Sequence, residues 1–348
     1  MNRSTLSMIR NFFRCDYVIP VGSGTVGLFL VLKAIDVRHK KVLIPASTCP
    51  SVAIAVFAAG GKPVAVDVSY SDHNISSESV ENAMDTTVRA IIAVDAFGYP
   101  ADIQKLKSIA SPYECIVIED ACQAYGGKVG DRIIGNRADV GVISVGWFKS
   151  IDVKVGGFLL TNSRGFLRKV NHIRESPDFN ILRNEKHKVA NYLMDKGKNK
   201  TVRFLSSYLG LLRYNFPTID EQYFVKRWKE FENEIEVLKT KLNIVKNLIS
   251  SIHGIELFDY EIDNWLPWRY SFKVPDLLRK QEILKTFQEV GIRATQLYRP
   301  ITEHFCDIDV SNSLKYTMLM KDRIVNVCYK TTIADVNLLI DKLMKICR

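Results

Sequence analysis

Residues Ser144 to Gly157 read SVGWFKSIDVKVGG. An apolar run, VGVIS at 140–144, leads out into two bulky aromatics, Trp147 and Phe148. Lys149 stands directly behind them, ahead of the glycine pair Gly156 and Gly157. A lone lysine in such a place is ordinarily an exposed turn residue. Whether Lys149 is more than that depends on the framework around it.

That framework is a repeated alternation. KVLIP (41–45), PVAVDV (63–68), RAIIAVDAF (89–97), CIVIED (115–120), VGVISV (140–145) and GGFLLTN (156–162) are short runs rich in Val and Ile. They are mostly apolar throughout rather than alternating, as in strands buried on both faces. Between them lie helical segments that start after Gly24, after Cys49, at SSESVENAM (76–84), where Ser serves as N-cap, and at DIQKLKSIA (102–110). The rhythm predicts an α/β fold with a largely parallel central sheet flanked by helices. Farther on, Phe224, Trp228, Phe231, Ile235, Leu238 and Leu242 recur at steps of three or four, which predicts a long amphipathic helix. The remainder reads as a compact α+β unit. The expected organisation is a large domain over 1–222, with a basic insertion at about 181–213, and a linking helix with a small C-terminal α+β domain over 223–348.

Composition bounds the function. The chain has 348 residues, 47% of them hydrophobic and 25% charged, and no apolar run has the length of a membrane span. The N-terminus lacks a signal-peptide pattern, so a cytoplasmic location is expected. The seven cysteines are odd in number and contain no C-x-x-C pair, which argues against a disulfide framework or a zinc ribbon. The net charge is +10, and the stretch Ile181 to Arg203 carries seven basic residues against two acids. No nucleic-acid-binding motif accompanies that charge. The stretch is either a solvated face or a surface for acidic lipid or an acidic partner protein.

In open α/β sheets ligands sit outside the carboxyl ends of the strands. VGSGTVGL at 21–28 follows a short apolar run and opens a helix, an arrangement that cradles phosphate on backbone N–H groups. Its Gly22, Gly24 and Gly27 also spell a dinucleotide motif. That motif needs an acid at the end of the second strand, where this chain has IPAST instead. CIVIED ends on Glu119 and Asp120, each readable as a helix cap or as a partner for a protonated ring nitrogen. Ser144 can donate to an anion, and the amine of Lys149 can condense with an aldehyde. A phosphate anchor, a pyridinium partner and a covalent tether together are the equipment for pyridoxal phosphate.

These pieces resemble the DegT/DnrJ/EryC1/StrS family of nucleotide-sugar aminotransferases, which are fold type I pyridoxal-phosphate enzymes. The family's run of Ser, two aromatics, Pro, Thr, Lys and a Gly-Glu-Gly-Gly tail aligns without gaps on Ser144 to Gly157, with its cofactor lysine on Lys149. Its Glu-Asp-x-x-Gln-x-x-Gly stands here as Glu119, Asp120, Gln123 and Gly126, and its phosphate turn as Ser23, Gly24 and Thr25. The resemblance implies a tether at Lys149, Asp120 on the ring nitrogen, Gln123 on the ring's phenolic oxygen, and Ser23 to Thr25 with Ser144 on the phosphate. It further implies glutamate as amino donor, a keto group of a nucleotide-linked deoxysugar as acceptor, a role in surface-polysaccharide synthesis, and a homodimer in which Asn215 reaches the neighbouring subunit's cofactor.

The chain departs from the family in several places. Cys49 stands where an aromatic usually stacks on the cofactor, Asp95 where His is frequent, and Lys154 and Val155 replace Gly-Glu ahead of the glycine pair. The segment before Gly22 is short. Arg293 and Arg299 fall where the family has donor- and substrate-facing residues, and Tyr125 either lines the pocket or packs beneath the glycines. His253 and His304 read as surface residues, not ligands. Two other classes stay open: a pyridoxal- or pyridoxamine-dependent sugar dehydratase, against which Lys149 speaks because that branch carries His there, and a non-catalytic partner-binding relative.

Overall fold

The computed structural model describes residues 1–175, 220–250, 252–258, 268–305, 308–328 and 333–347. Asn215 and the basic insertion at 181–213 therefore lie outside the described residues.

Helix α1 (Arg3–Phe13) is capped by Asn2, whose side chain accepts from Thr5 N at 2.9 Å. Then come β1 (Tyr17–Val21), α2 (Gly24–Ala34), β2 (Lys41–Pro45), α3 (Pro50–Ala58), β3 (Lys62–Val66), α4 (Ser77–Ala83), β4 (Val88–Val94), α5 (Ile103–Ala110) and β5 (Ile116–Asp120). A small hairpin, β6 (Lys128–Val129) and β7 (Arg132–Ile133), precedes β8 (Val140–Ser144), β9 (Gly157–Thr161) and α6 (Arg164–Glu175). The expected caps are in place: Ser76 accepts from Ser79 N at 3.2 Å, and Asp102 from Lys105 N at 3.0 Å.

The strands form one sheet in the order β1-β9-β8-β5-β4-β2-β3, in which only β9 runs against the rest. Successive residues of a strand serve opposite cores, as the two-residue period requires. Val42, Ile44 and Ile92 meet α2 and α3 on one side, while Leu43, Ile91 and Val117 meet α4 and α5 on the other. That is why the strands read as unbroken apolar runs.

After the undescribed stretch, α7 (Glu221–Ser250) buries Phe224, Trp228 and Phe231 against Phe13, Tyr125 and Phe158. Ile235 and Leu238 continue the stripe, partly buried. A second, antiparallel sheet has the order β10 (Glu256–Leu257), β11 (Arg269–Lys273), β14 (Ile324–Cys328), β12 (Ala294–Thr295). Helices α8 (Leu277–Glu289) and α10 (Ile333–Ile346) accompany it. This part also reaches back to the large sheet: β13 (Asp309–Val310) pairs with β3, and Ile301 N donates to Ala46 O at 2.7 Å beyond the end of β2. Asp67, just past β3, caps α9 (Lys315–Arg323) by accepting from Tyr316 N at 2.9 Å and Thr317 N at 2.7 Å. The C-terminal part is thereby fixed over the carboxyl edge of the parallel strands. Among the described residues no helix is long and apolar enough to cross a membrane.

Candidate active site

The carboxyl ends of β1, β2, β4, β5 and β8 converge on one edge. At the first of them, Ser23 caps α2 by accepting from Val26 N at 3.2 Å, and the first turn of α2 carries no acid. Its free N–H groups and the helix dipole favour an anion here. Gly24 lets this helix end press against its neighbours: a Cβ there would lie 2.7 Å from Cys122 Sγ and 3.2 Å from Ser144 Cβ. The close approach gathers Ser23, Gly24, Thr25 and Ser144 into one corner. Ser144 ends β8 and accepts from Gly146 N at 3.3 Å.

Asp120 ends β5, is buried, and accepts from Cys122 N at 3.2 Å. Burial raises its pKa, while its bond from Cys122 and the positive charge of Lys149 pull the other way. The strand period sends Glu119 to the opposite side. There it accepts from Gly135 N, Arg137 N and Arg137 Nε at 2.6–2.9 Å, and Arg137 also holds Asp95 at 2.8 Å. Asp95, in place of the family's His, is thus one arm of a buried Asp-Arg-Glu network. Glu119 is a partner of Arg137 and stands apart from the Asp120 side.

Gln123 accepts from Phe97 N at 2.8 Å and donates to the Tyr298 hydroxyl at 3.1 Å. Lys149 lies on a turn in which its N–H donates to Gly146 O at 3.3 Å. Asp152 closes that turn: one carboxylate oxygen accepts from Phe148 N and the other from Lys154 N, both at 2.9 Å. Tyr125 is buried beneath, where its hydroxyl accepts from Ile151 N at 2.9 Å, so it packs under the turn. Trp147 and Phe148 are 58% and 68% exposed.

Cys49 precedes α3 without capping it; its sulfur accepts from the Ser51 hydroxyl at 3.1 Å. The adjacent Thr48 hydroxyl is buried with no partner among the described residues. The rings that do reach this edge come from elsewhere: Phe97 from beyond β4, Tyr298 from the segment after β12, and Trp268 from the start of β11. None of these three, nor Asp152 or Arg137, was found by sequence reasoning. Trp268 and Tyr298 are more than a hundred residues from Lys149, so no local pattern marks them. Asp152 sits close enough to Lys149 that its capping chemistry was readable. Arg293, Arg299 and His253 are exposed and His304 is half-buried, and no metal-holding cluster occurs among the described residues.

A helix N-terminus beside three hydroxyls, a buried acid within electrostatic reach of a lysine, an amide aimed by its neighbours, and an orphaned threonine hydroxyl form a donor set that fits an anionic, aldehyde-bearing pyridine. With the mostly parallel sheet and its single reversed strand, they define the architecture of fold type I pyridoxal-phosphate enzymes. Residues 7–328 match the model of the DegT/DnrJ/EryC1/StrS aminotransferase family, and the chain belongs to that family of pyridoxal-phosphate-dependent aminotransferases.

The chain is 25% identical over 300 residues to the 3-oxo-glucose-6-phosphate:glutamate aminotransferase of Bacillus subtilis, covering 85% of this chain and 63% of that protein. To the GDP-perosamine synthase of Escherichia coli O157:H7 it is 27% identical over 160 residues, 46% of this chain and 44% of that protein. The alignments thus span less than two thirds of either relative's length. A crystal structure of a DegT DnrJ EryC1 StrS aminotransferase from Brucella abortus superimposes with a TM-score of 0.80 at 20% identity, covering 99% of this chain and 89% of that one, which shows the shared fold.

Proposed function

We propose that the protein is a pyridoxal-phosphate-dependent aminotransferase that moves an amino group from glutamate to a keto group of a nucleotide-linked deoxysugar, for surface-polysaccharide synthesis. The observation that carries this reading is the convergence of Lys149 and Asp120 on the corner formed by the N-terminus of α2 and Ser144. The names of the two relatives support a sugar acceptor, and one of them a glutamate donor.

In this reading Ser23, Thr25, Ser144 and the free N–H groups of α2 hold the phosphate. Asp120 keeps a proton on the ring nitrogen, Gln123 donates to the ring oxygen, Cys49 lines one side, and Lys149 is the tether. Pyridoxal phosphate, when bound, supplies the electron sink for the carbon whose C–H bond breaks. Nζ of Lys149, released from the tether, takes the proton from the donor's α-carbon and returns one to the sugar carbon. Asp120 has the burial to matter here, because a carboxylate shielded from water interacts more strongly with a cation beside it. The same reading takes residues 1–222 as the cofactor-binding domain and 223–348 as the linking helix and smaller domain. It also takes the active form as a homodimer completed by Asn215, in the cytoplasm.

Reduction with borohydride after loading with pyridoxal phosphate tests this directly. The expected result is a visible absorbance band that bleaches with glutamate, and a covalent label on the peptide containing Lys149 only. A label elsewhere, or no band, overturns the assignment.

A further inference from the structure

Tyr298 is held from every side. Its ring stacks on Phe97, with centroids 5.7 Å apart and planes within 12°. Its carbonyl accepts from the Ser47 hydroxyl at 3.0 Å. Because that hydroxyl has one proton to give, the 2.8 Å contact from His73 Nε2 to Ser47 must be a donation by the imidazole. His73 is wholly buried, and burial depresses its pKa to about 3, so it is a fixed neutral donor. The preceding amide, Leu297 N, donates to the buried Asn326 side chain at 2.9 Å, and the backbone beyond pairs with the end of β2 through Pro300 and Ser47. A half-exposed side chain anchored this completely presents its hydroxyl in one place, and that place is Gln123.

Gln123 can bond in only one orientation. Its carbonyl oxygen accepts from Phe97 N, so its NH₂ faces Tyr298. One of the two amide protons goes to the phenol oxygen, and the other is left for a ligand. We propose that Tyr298 is a positioning residue which, through Gln123, sets the hydrogen bonding to the ring oxygen of bound pyridoxal phosphate and so tunes the ionisation of its chromophore. This inference rests on the reading of the cofactor site given above. Phe97 and Tyr298 then act as a unit: one fixes the acceptor end of the Gln123 amide, and the other its donor end.

The test is a pH titration of the absorbance of the pyridoxal-phosphate-loaded protein and its Tyr298→Phe variant. The variant keeps the ring and its stack on Phe97 and removes only the hydroxyl. Donors to an oxygen that carries negative charge favour the ionised form. Without the phenol oxygen to hold one of its N–H groups, the Gln123 amide is less firmly aimed at the ring oxygen, and the weakened donation should raise the apparent pKa of the spectral transition by about half a unit to one unit. Among the described residues Asp120, Lys149, Cys49, Cys122 and the buried His73 are the other titratable groups around the site, and the substitution leaves them unchanged, so the shift reports the phenol. Coincident titration curves would overturn the proposal and leave the cofactor assignment standing. So would a variant that only melts at a lower temperature, or one that binds the cofactor more tightly with an unshifted transition, which would mean that the ring merely fills space. A wild-type protein with no cofactor band would overturn this inference together with the assignment itself.

Discussion

The indole of Trp268 lies over the amine of Lys149, with Nζ 4.9 Å from the ring centroid, and the indole N–H donates to the carbonyl of Phe148 at 2.6 Å. Arg269 stacks on the same ring at 4.2 Å, and Trp268 N donates to Phe97 O at 2.7 Å. One residue just ahead of β11 thus ties together the turn bearing Lys149 and the loop bearing Phe97. Trp268→Phe, which keeps a ring over the amine but loses the N–H, should cost about 1 kcal/mol of stability. Trp268→Ala should cost about 3–5 kcal/mol, because a buried ring is lost as well. Urea denaturation at neutral pH measures both, and equal losses would show that the bond to Phe148 carries the whole effect.

Asp120 gives a pH dependence of defined sign. Its pKa is raised in the folded protein, chiefly by burial, so over the window that opens at the unfolded carboxylate value of about 4 and extends upward, the folded state binds more protons than the unfolded one. Stability from this group therefore falls as pH rises through that window. Asp120→Asn is neutral at every pH and should remove the slope, leaving the variant of the apoprotein the more stable of the two above the window. If Asp120 has the role proposed for it, amine transfer should fall sharply in the same variant, since the charge proposed to hold the ring proton is gone. Stability measured by urea between pH 4 and 7, with and without the substitution, checks the sign.

Arg137 lies between two buried acids as their shared counter-charge, at 2.8 Å from Asp95 and 2.6 Å from Glu119, and all three side chains are at most 5% exposed. Removing one member of such a network strands charge in a medium that cannot solvate it. Arg137→Met should destabilise the protein by about 3–5 kcal/mol at pH 7. The loss should shrink at acid pH, where the abandoned carboxylates can take up protons. Asp95→His, which restores the family's frequent residue, should not be tolerated unless Arg137 is changed with it.

Much of this was legible in the sequence because it is local. Strands buried on both faces write themselves as apolar runs; Ser144, Asp120 and the turn from Ser23 to Thr25 stand at or just past the end of such a run, and Lys149 follows in the turn beyond Ser144. What was not legible depends on distance and on strand parity. Glu119 and Asp120 look alike side by side, yet the two-residue period sends one to Arg137 and the other to the Lys149 side. Trp268 and Tyr298 reach the site through contacts between residues far apart in the chain: Trp268 N donates to Phe97 O, and Ser47 donates to the Tyr298 carbonyl. Helix α1 was also missed: its cap, Asn2, sits at the very start, where no preceding pattern sets it off.

Lys154 explains its own oddity and can be tested by restoring the family's residue. Its φ of 75° lies in the left-handed region, which costs a residue with a Cβ roughly 1–2 kcal/mol and glycine nothing. The next residue but one, Gly156, also has positive φ, at 112°, so the loop turns sharply here before β9 begins. Two contacts offset the strain at Lys154: its N–H donates to Asp152 at 2.9 Å, and its amine lies 5.7 Å from the centroid of the exposed Trp147 ring. The first is a backbone contact that glycine keeps. The second is an exposed cation–π pair contributing about 0.5 kcal/mol. Glycine gains chain entropy when unfolded, which takes back part of the relief. Lys154→Gly should therefore stabilise the protein only slightly, by at most about 1 kcal/mol, once these losses are taken from the strain relief. Because the turn carries Lys149, its borohydride labelling should proceed as in the wild type. A loss of stability on this substitution, read from urea midpoints with unchanged slope, would show that the Trp147 contact and the unfolded-chain entropy together outweigh the backbone strain.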